Sequence, residues 1–148
     1  MEVEFYELDT IIDKKLTFAV INAIYQNKWI YVRHKQRNTW EIPGGHRELG
    51  EDIMETAKRE LFEETGAKMS EIIPLCDYST NGSSGKIFGR LFFSNIIELG
   101  NLPDSEIVEI NFFDKLPIHL TYSEVQPQLF EKTIAFLKGN KVPVAKKL

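Results

Sequence analysis

GGHRELGEDIMETAKRELFEETGA, running from Gly44 to Ala67, is the stretch that decides the fold. Its two leading glycines deliver the chain into a loop. Asp52, with Glu55 three residues on, then supplies a capping box for a helix. Gly66 provides the left-handed residue that stops it. Between those ends Ile53, Ala57 and Leu61 recur at four-residue spacing and Met54 joins them, which marks the core-facing side. At about 100° per residue, Glu60, Glu63 and Glu64 fall in one sector beside that stripe. Carboxylates this close repel one another, so a positive charge is expected among them. Arg59 precedes Glu63 by four residues and follows Glu51 by eight, where it can pair with a carboxylate outside the cluster. Clustered carboxylate oxygens suit hard divalent cations, Mg²⁺ in particular, which keeps waters and borrows ligands from phosphates. A solvated acidic face is the alternative reading of any such charge run.

Outward from this segment, the chain reads as alternating strands with a last helix. Thr17 to Tyr25 and Lys28 to His34 are rich in β-branched and aromatic residues, with Gln26-Asn27 as the hairpin turn between them. Trp40 to Ile42 reads as a short third strand ended by Pro43 and the glycines. Ile72 to Thr80 and Lys86 to Ile97 read as two more, joined by the polar tip from Asn81 to Gly85, and Glu106 to Phe113 as another. Ser123 to Lys138 reads as a helix with Ser123 as N-cap, Pro127 in its first turn, and Leu129, Ile134 and Leu137 toward the core. Residues 139–148 read as a loose basic tail on a single domain spanning 1–148. Strands around one central and one C-terminal helix give an α/β or α+β sandwich.

Composition bounds the function. The chain has 148 residues, 43% hydrophobic and 27% charged, as in ordinary globular proteins. A net charge of −4 argues against a broad nucleic-acid footprint. The single cysteine, Cys76, permits no internal disulfide and reads as a core residue in a reducing compartment. The acidic N-terminus lacks a signal-peptide pattern, and no apolar run reaches membrane-spanning length. These features predict a cytoplasmic protein that does not engage membranes.

The spacing Gly45-x5-Glu51-x7-Arg59-Glu60-Leu61-x-Glu63-Glu64-x-Gly66-Ala67 resembles the Nudix box at every defining position, and Trp40 to Gly44 resembles the strand that enters it. The resemblance implies the α/β/α sandwich of that family with a mixed β-sheet. It also implies hydrolysis of a nucleoside diphosphate linked to another moiety, by water attack within the phosphate chain. Carried over by position, Glu60, Glu63 and Glu64 are the expected ligands of Mg²⁺, with Mn²⁺ as substitute, and the Gly45 carbonyl is a further one. Glu51 is expected to pair with Arg59 and orient the ligating carboxylates. The general base is either a helix glutamate or a later carboxylate, of which Glu106 is favoured over Glu109. Arg33, Lys35, Arg37 and Arg90 are candidate phosphate-binding cations, with Arg33 and Arg90 preferred, and Trp40 is a candidate base contact. His34, His46 and His119 read as structural or surface residues. The short chain resembles MutT-like pyrophosphohydrolases of nucleoside triphosphates, 8-oxo-dGTP among the expected substrates. The alternatives are an RNA 5′-pyrophosphohydrolase, a dinucleoside polyphosphate or ADP-ribose hydrolase, and a non-catalytic nucleotide-binding module. A homodimer is the assembly the resemblance suggests.

Overall fold

A computed structural model describes residues 2–139. The strands are β1 (Glu4–Tyr6), β2 (Leu16–Tyr25), β3 (Lys28–His34), β4 (Gly44–His46), β5 (Ala67–Gly82), β6 (Gly85–Leu99) and β7 (Ile107–Phe113). The helices are α1 (Ile53–Thr65) and α2 (Gln126–Lys138), and a single 3₁₀ turn covers Asp13–Lys15. One mixed sheet runs β1-β5-β6-β2-β3-β7, with β4 added beside the start of β2. Only β2 and β6 are parallel among the described pairs.

The run TFAVINAIY is apolar on both sides because β2 is buried on both faces. Ala19, Ile21 and Ala23 pack with Ile53, Ala57 and Leu61 of α1. Val20 and Ile24 pack with Leu129 and Leu137 of α2 on the opposite face. The result is an α/β/α sandwich. Asn22, buried in the second face, donates to Thr133 Oγ1 at 2.7 Å and so ties the central strand to α2. The β2–β3 turn falls where expected: Gln26 (φ 51°) and Asn27 (φ 65°) both adopt the left-handed conformation a two-residue hairpin of this twist requires.

Four expectations are revised. Trp40 to Ile42 is not a strand: Trp40 and Glu41 make isolated bridges to Leu120 and Val32, and the glycines themselves form β4. A Cβ on Gly44 would lie 2.4 Å from the Ala19 carbonyl oxygen, so only glycine lets the backbone approach β2 this closely. The β5–β6 hairpin extends well beyond the apolar runs, because cross-strand pairing continues from Ala67–Leu99 to Gly82–Gly85. Helix α2 starts at Gln126 rather than after Ser123. Val125 is its N-cap without a side-chain bond, and Pro127 fits in the first turn, where no intrahelical donor is needed. Strand β1, only three residues on the outer edge of β5, is too short to leave a periodic signal. The expected tail lies, from residue 140 on, outside the described residues; Gly139 closes α2 by donating to the Ala135 carbonyl.

Candidate active site

Local chemistry shapes the loop and α1. Asp52 accepts from the Glu55 N–H at 2.8 Å while Glu55 Oε1 accepts from the Asp52 N–H at 2.9 Å, completing the capping box. Gly66 ends the helix at φ 81°. Arg59 is the hub. Its Nε and Nη2 donate to the two oxygens of Glu51 at 2.5 and 3.0 Å, and Nη2 also reaches the His46 carbonyl at 2.9 Å. Its Nη1 donates to Glu60 at 2.7 Å and Glu63 at 3.2 Å. The Arg59 guanidinium holds the Glu51 carboxyl down at about 2, aided by the Glu48 N–H and the Thr56 hydroxyl. The expected Glu51–Arg59 pair is thus in place, and it clamps the loop to the helix. Arg47 fastens the loop from the other side, donating to the Glu51 carbonyl at 2.8 Å and to Asp13 Oδ2 at 2.8 Å.

The three helix glutamates sit in different surroundings. Glu64 is buried, accepts from the Gly44 N–H at 3.0 Å, and has its carboxyl pushed up to about 8. Desolvation is the main cause, and the nearby Glu60, Glu41 and Glu63 add to it. Burial also raises Glu60, against the pull of Arg59. Glu63 is about half exposed, with 46% of its side chain accessible. Glu60 lies directly over Gly45, where a Cβ would come within 2.4 Å of its carboxyl carbon. Among the described residues no three His, Cys, Asp or Glu side chains stand together as a ready cation cage, and Arg59 engages Glu60 and Glu63. The donor set nevertheless fits a hard divalent cation. It is all oxygen, it includes a buried carboxylate short of positive charge, and it faces a glycine whose bare backbone leaves room.

Beside this cluster, on the α2 face of the sheet, opens a cleft of about 460 Å³. Its apolar walls include Phe18, Ile87, Val125 and Leu129, with Tyr78 lying across Gly89, where a Cβ would meet the phenol ring at 2.6 Å. The Phe18 ring packs against that of His46, tilted by 43° with centroids 4.1 Å apart. A polar network lines the end nearest α1. Arg37 donates to Glu41 in a short hydrogen bond and lies over the Tyr122 ring at 5.9 Å. His34 Nε2 stands 3.3 Å from Glu41 and 3.8 Å from Glu64, and its Nδ1 lies 3.8 Å from Glu106. A larger, open depression of about 850 Å³ lies on the outside of the loop between Lys14 and Glu55. Glu60, Glu63 and Glu64 line neither hollow, but the smaller one is lined by Gly44 and Gly45, against which Glu64 and Glu60 lie, and we place the candidate site there.

The structure therefore brings Gly45 and Glu106 to the cleft rim. Glu60 and Glu64 lie against Gly45 and Gly44 of that rim, Arg59 ties Glu60 and Glu63 to Glu51, and Glu51 itself borders the outer depression. The other expected contacts are not brought to the cleft. Arg33 is tied to Glu109 at 2.9 Å, Arg90 is tied to the buried Asp77 at 2.6 Å, and the Trp40 ring packs edge-on against Phe113 at 5.3 Å. None of these lines the cleft. Each answers to a partner that sequence reading could not see: two carboxylates across a strand pair and a core aromatic ring. Arg37, Glu41, Tyr122 and Gln126 line the cleft instead, and His34, expected to be structural or surface, also lines it, within 3.8 Å of Glu41, Glu64 and Glu106. No motif announces them, and the only hint was the basic cluster after β3, where Arg37 was one of three candidates.

A family model for the NUDIX domain matches residues 15–129. The chain belongs to the NUDIX domain family. A Lactococcus lactis protein provisionally named a DHNTP pyrophosphohydrolase is 29% identical over 139 residues, covering 89% of this chain and 80% of that one. A Bacillus subtilis protein, provisionally named 8-oxo-dGTP diphosphatase YtkD, is 34% identical over 80 residues, 54% of this chain and 50% of that one. The chain thus spans about half the length of that NUDIX relative, and 18% of a mouse nucleoside diphosphate-linked moiety X motif protein. The fold is that of a mutant of the B. subtilis pyrophosphohydrolase BsRppH, with a TM-score of 0.76 at 24% identity over 90% of both chains. No helix among the described residues is long and apolar enough to cross a membrane.

Proposed function

We propose that this NUDIX chain is a cation-dependent pyrophosphohydrolase of a nucleoside triphosphate, releasing the monophosphate and pyrophosphate. The observation that carries the reading is the meeting of Glu60 and Glu64 with the Gly44–Gly45 backbone at one end of an apolar, aromatic-walled cleft. One end suits phosphates and the other suits a planar ring. Glu60, Glu63 and Glu64, with the Gly45 carbonyl, would hold Mg²⁺, for which Mn²⁺ would substitute. When bound, the cation supplies charge neutralisation for the phosphate chain.

The protein's own groups do the rest. Arg59 and Glu51 hold the ligating carboxylates in register. Arg37, the one Arg or Lys lining the cleft among the described residues, can exchange Glu41 for a substrate phosphate. A water attacks phosphorus, its oxygen bonds to one phosphoryl group, and the bridging oxygen leaves with the other product. Glu106, at the cleft rim and largely exposed, accepts the proton of that water. A single guanidinium lining the cleft among the described residues favours a mononucleotide over an RNA end, whose backbone calls for more cations. The names of the Lactococcus and Bacillus relatives support the same substrate class.

Mass-spectrometric product analysis in H₂¹⁸O with Mg²⁺ tests this, on 8-oxo-dGTP, dGTP, dihydroneopterin triphosphate, a dinucleoside polyphosphate, ADP-ribose and 5′-triphosphorylated RNA. The expected result is fastest conversion of a free triphosphate to monophosphate and pyrophosphate, one of them carrying the label. Faster cleavage of ADP-ribose, the dinucleotide or RNA would overturn the substrate. Absence of turnover across the panel with Mg²⁺ or Mn²⁺ would overturn the enzyme.

A further inference from the structure

Gln126, at the first turn of α2, is 94% buried, with 6% of the residue accessible, and lines the cleft. Its Oε1 accepts from the Ile42 backbone N–H at 2.9 Å. A backbone N–H can only donate, so the atom facing Ile42 must be the amide oxygen, and the orientation of the amide is fixed. The Nε2 group has no hydrogen-bond acceptor among the described residues. Nε2 is not sealed from solvent, so it is open to the cleft, where a ligand acceptor can replace water. Gln126 can present nothing but a donor to the cleft.

The segment that orients it also sets its place relative to the phosphate end. Ile42 N–H holds Gln126, and Gly44 N–H, two residues on, holds Glu64. One short piece of extended backbone therefore carries the ring end and the phosphate end of the cleft. Tyr78, Phe18, Val125 and Leu129 provide flat apolar surface beside Gln126.

We propose that Gln126 is a specificity-determining residue that selects a ring carbonyl over a ring amine, and so an oxo-ring triphosphate of the guanine or pterin type over an adenine nucleotide. A 6-oxopurine and a 4-oxopterin each present a carbonyl oxygen that Nε2 can serve. A 6-aminopurine presents a second donor at that place, leaving both groups unpaired. The inference rests on the nucleoside-triphosphate reading above and deepens it.

Calorimetric binding of methylene-bridged, non-hydrolysable dGTP and dATP analogues reads the selection directly, for the wild type, Gln126→Glu and Gln126→Leu. Wild type should favour the oxo ring by about tenfold or more, as sites that hydrogen-bond a substrate group reject analogues lacking the match. Gln126→Glu keeps an oxygen for the Ile42 N–H, presents an acceptor to the cleft and should invert the preference. Gln126→Leu should bring the two rings within about twofold. Equal wild-type affinity for the two analogues, or an unchanged ratio in Gln126→Glu with an unchanged Tm, would overturn the proposal. Panel hydrolysis without ring preference sinks this inference alone, whereas selective binding without turnover sinks the hydrolase reading alone. Comparing dGTP with dihydroneopterin triphosphate tells which oxo ring is the source, and tighter binding of either over dATP supports the selection.

Discussion

Beside the Gly44–Gly45 rim of the cleft, Glu51, Arg59, Glu60, Glu63 and Glu64 all come from one loop-and-helix segment, and their contacts with one another span eight residues or fewer. At the α2 end, Phe18, Arg37, Tyr78, Tyr122 and Gln126 come from separate parts of the chain and meet only when the sheet and α2 have packed. The first region is organised by caps and short-range ion pairs, the second by tertiary contacts such as Gln126 to Ile42 and Asn22 to Thr133. On the proposed function, the cation-binding carboxylates are lodged in a local element, and ring selection is lodged in a global one. Variants in the two regions should fail in different ways.

The largest effect is expected at the loop end. Glu64→Gln should lower kcat by about 10²–10³-fold, the scale of losing one placed electrostatic group in a reaction site, and should do so for every substrate alike. The same variant should be more stable than wild type without cation at alkaline pH, since it removes a buried charge. Thermal melts alongside steady-state kinetics check both halves. Next comes Glu106→Gln, for which a general-base role predicts a loss of about 10²–10⁴-fold; a fall of less than about tenfold would move the base to the helix.

Glu51→Gln weakens the clamp on Arg59 without touching the proposed ligands, and should reduce cation affinity by about 10–100-fold, as orienting partners do. At the other end of the cleft, Arg37→Ala should raise KM by about tenfold with little change in kcat, and Arg37→Lys should recover part of it. An equal fall in kcat for Arg37→Ala would blur the division between the two regions.

The smallest effect is a pH dependence of stability. Glu64 has its folded carboxyl raised from 4.5 to about 8, so its contribution is full below 4.5 and is lost as the pH rises through about 8. Cation-free protein should therefore lose Tm over that window, Glu64→Gln should flatten the loss, and Mg²⁺ should reverse it. Glu51 acts in the opposite sense. Its carboxyl is held at about 2 by Arg59, so its contribution is present above 4.5 and is lost as the pH falls toward 2.

The same division explains what could be read from the sequence. Asp52, Glu55, Arg59 and Gly66 act on neighbours at fixed spacing, so the cap, the helix and the Glu51 pair were all legible. The hairpin turn at Gln26-Asn27 was legible for the same reason, with both residues in the left-handed conformation. Arg33 and Arg90 misled because their charge is spent across strand pairs, on Glu109 and Asp77. Gln126 and Glu41 carried no signal at all. Each is a polar residue that gains its role only when distant backbone arrives beside it. The misplaced strand at Trp40 to Ile42 had another cause: its β-prone residues were outweighed by the close approach that only Gly44 permits.

The most direct test of the claim that the loop end is the cation site is Mn²⁺ binding followed by electron paramagnetic resonance, in wild type, Glu64→Gln and Gln126→Leu. The predicted result is saturable binding to wild type, at least tenfold weaker in Glu64→Gln and within about twofold of wild type in Gln126→Leu. Unchanged affinity in Glu64→Gln would contradict the account, because the buried carboxylate at the heart of the cluster would then hold no cation.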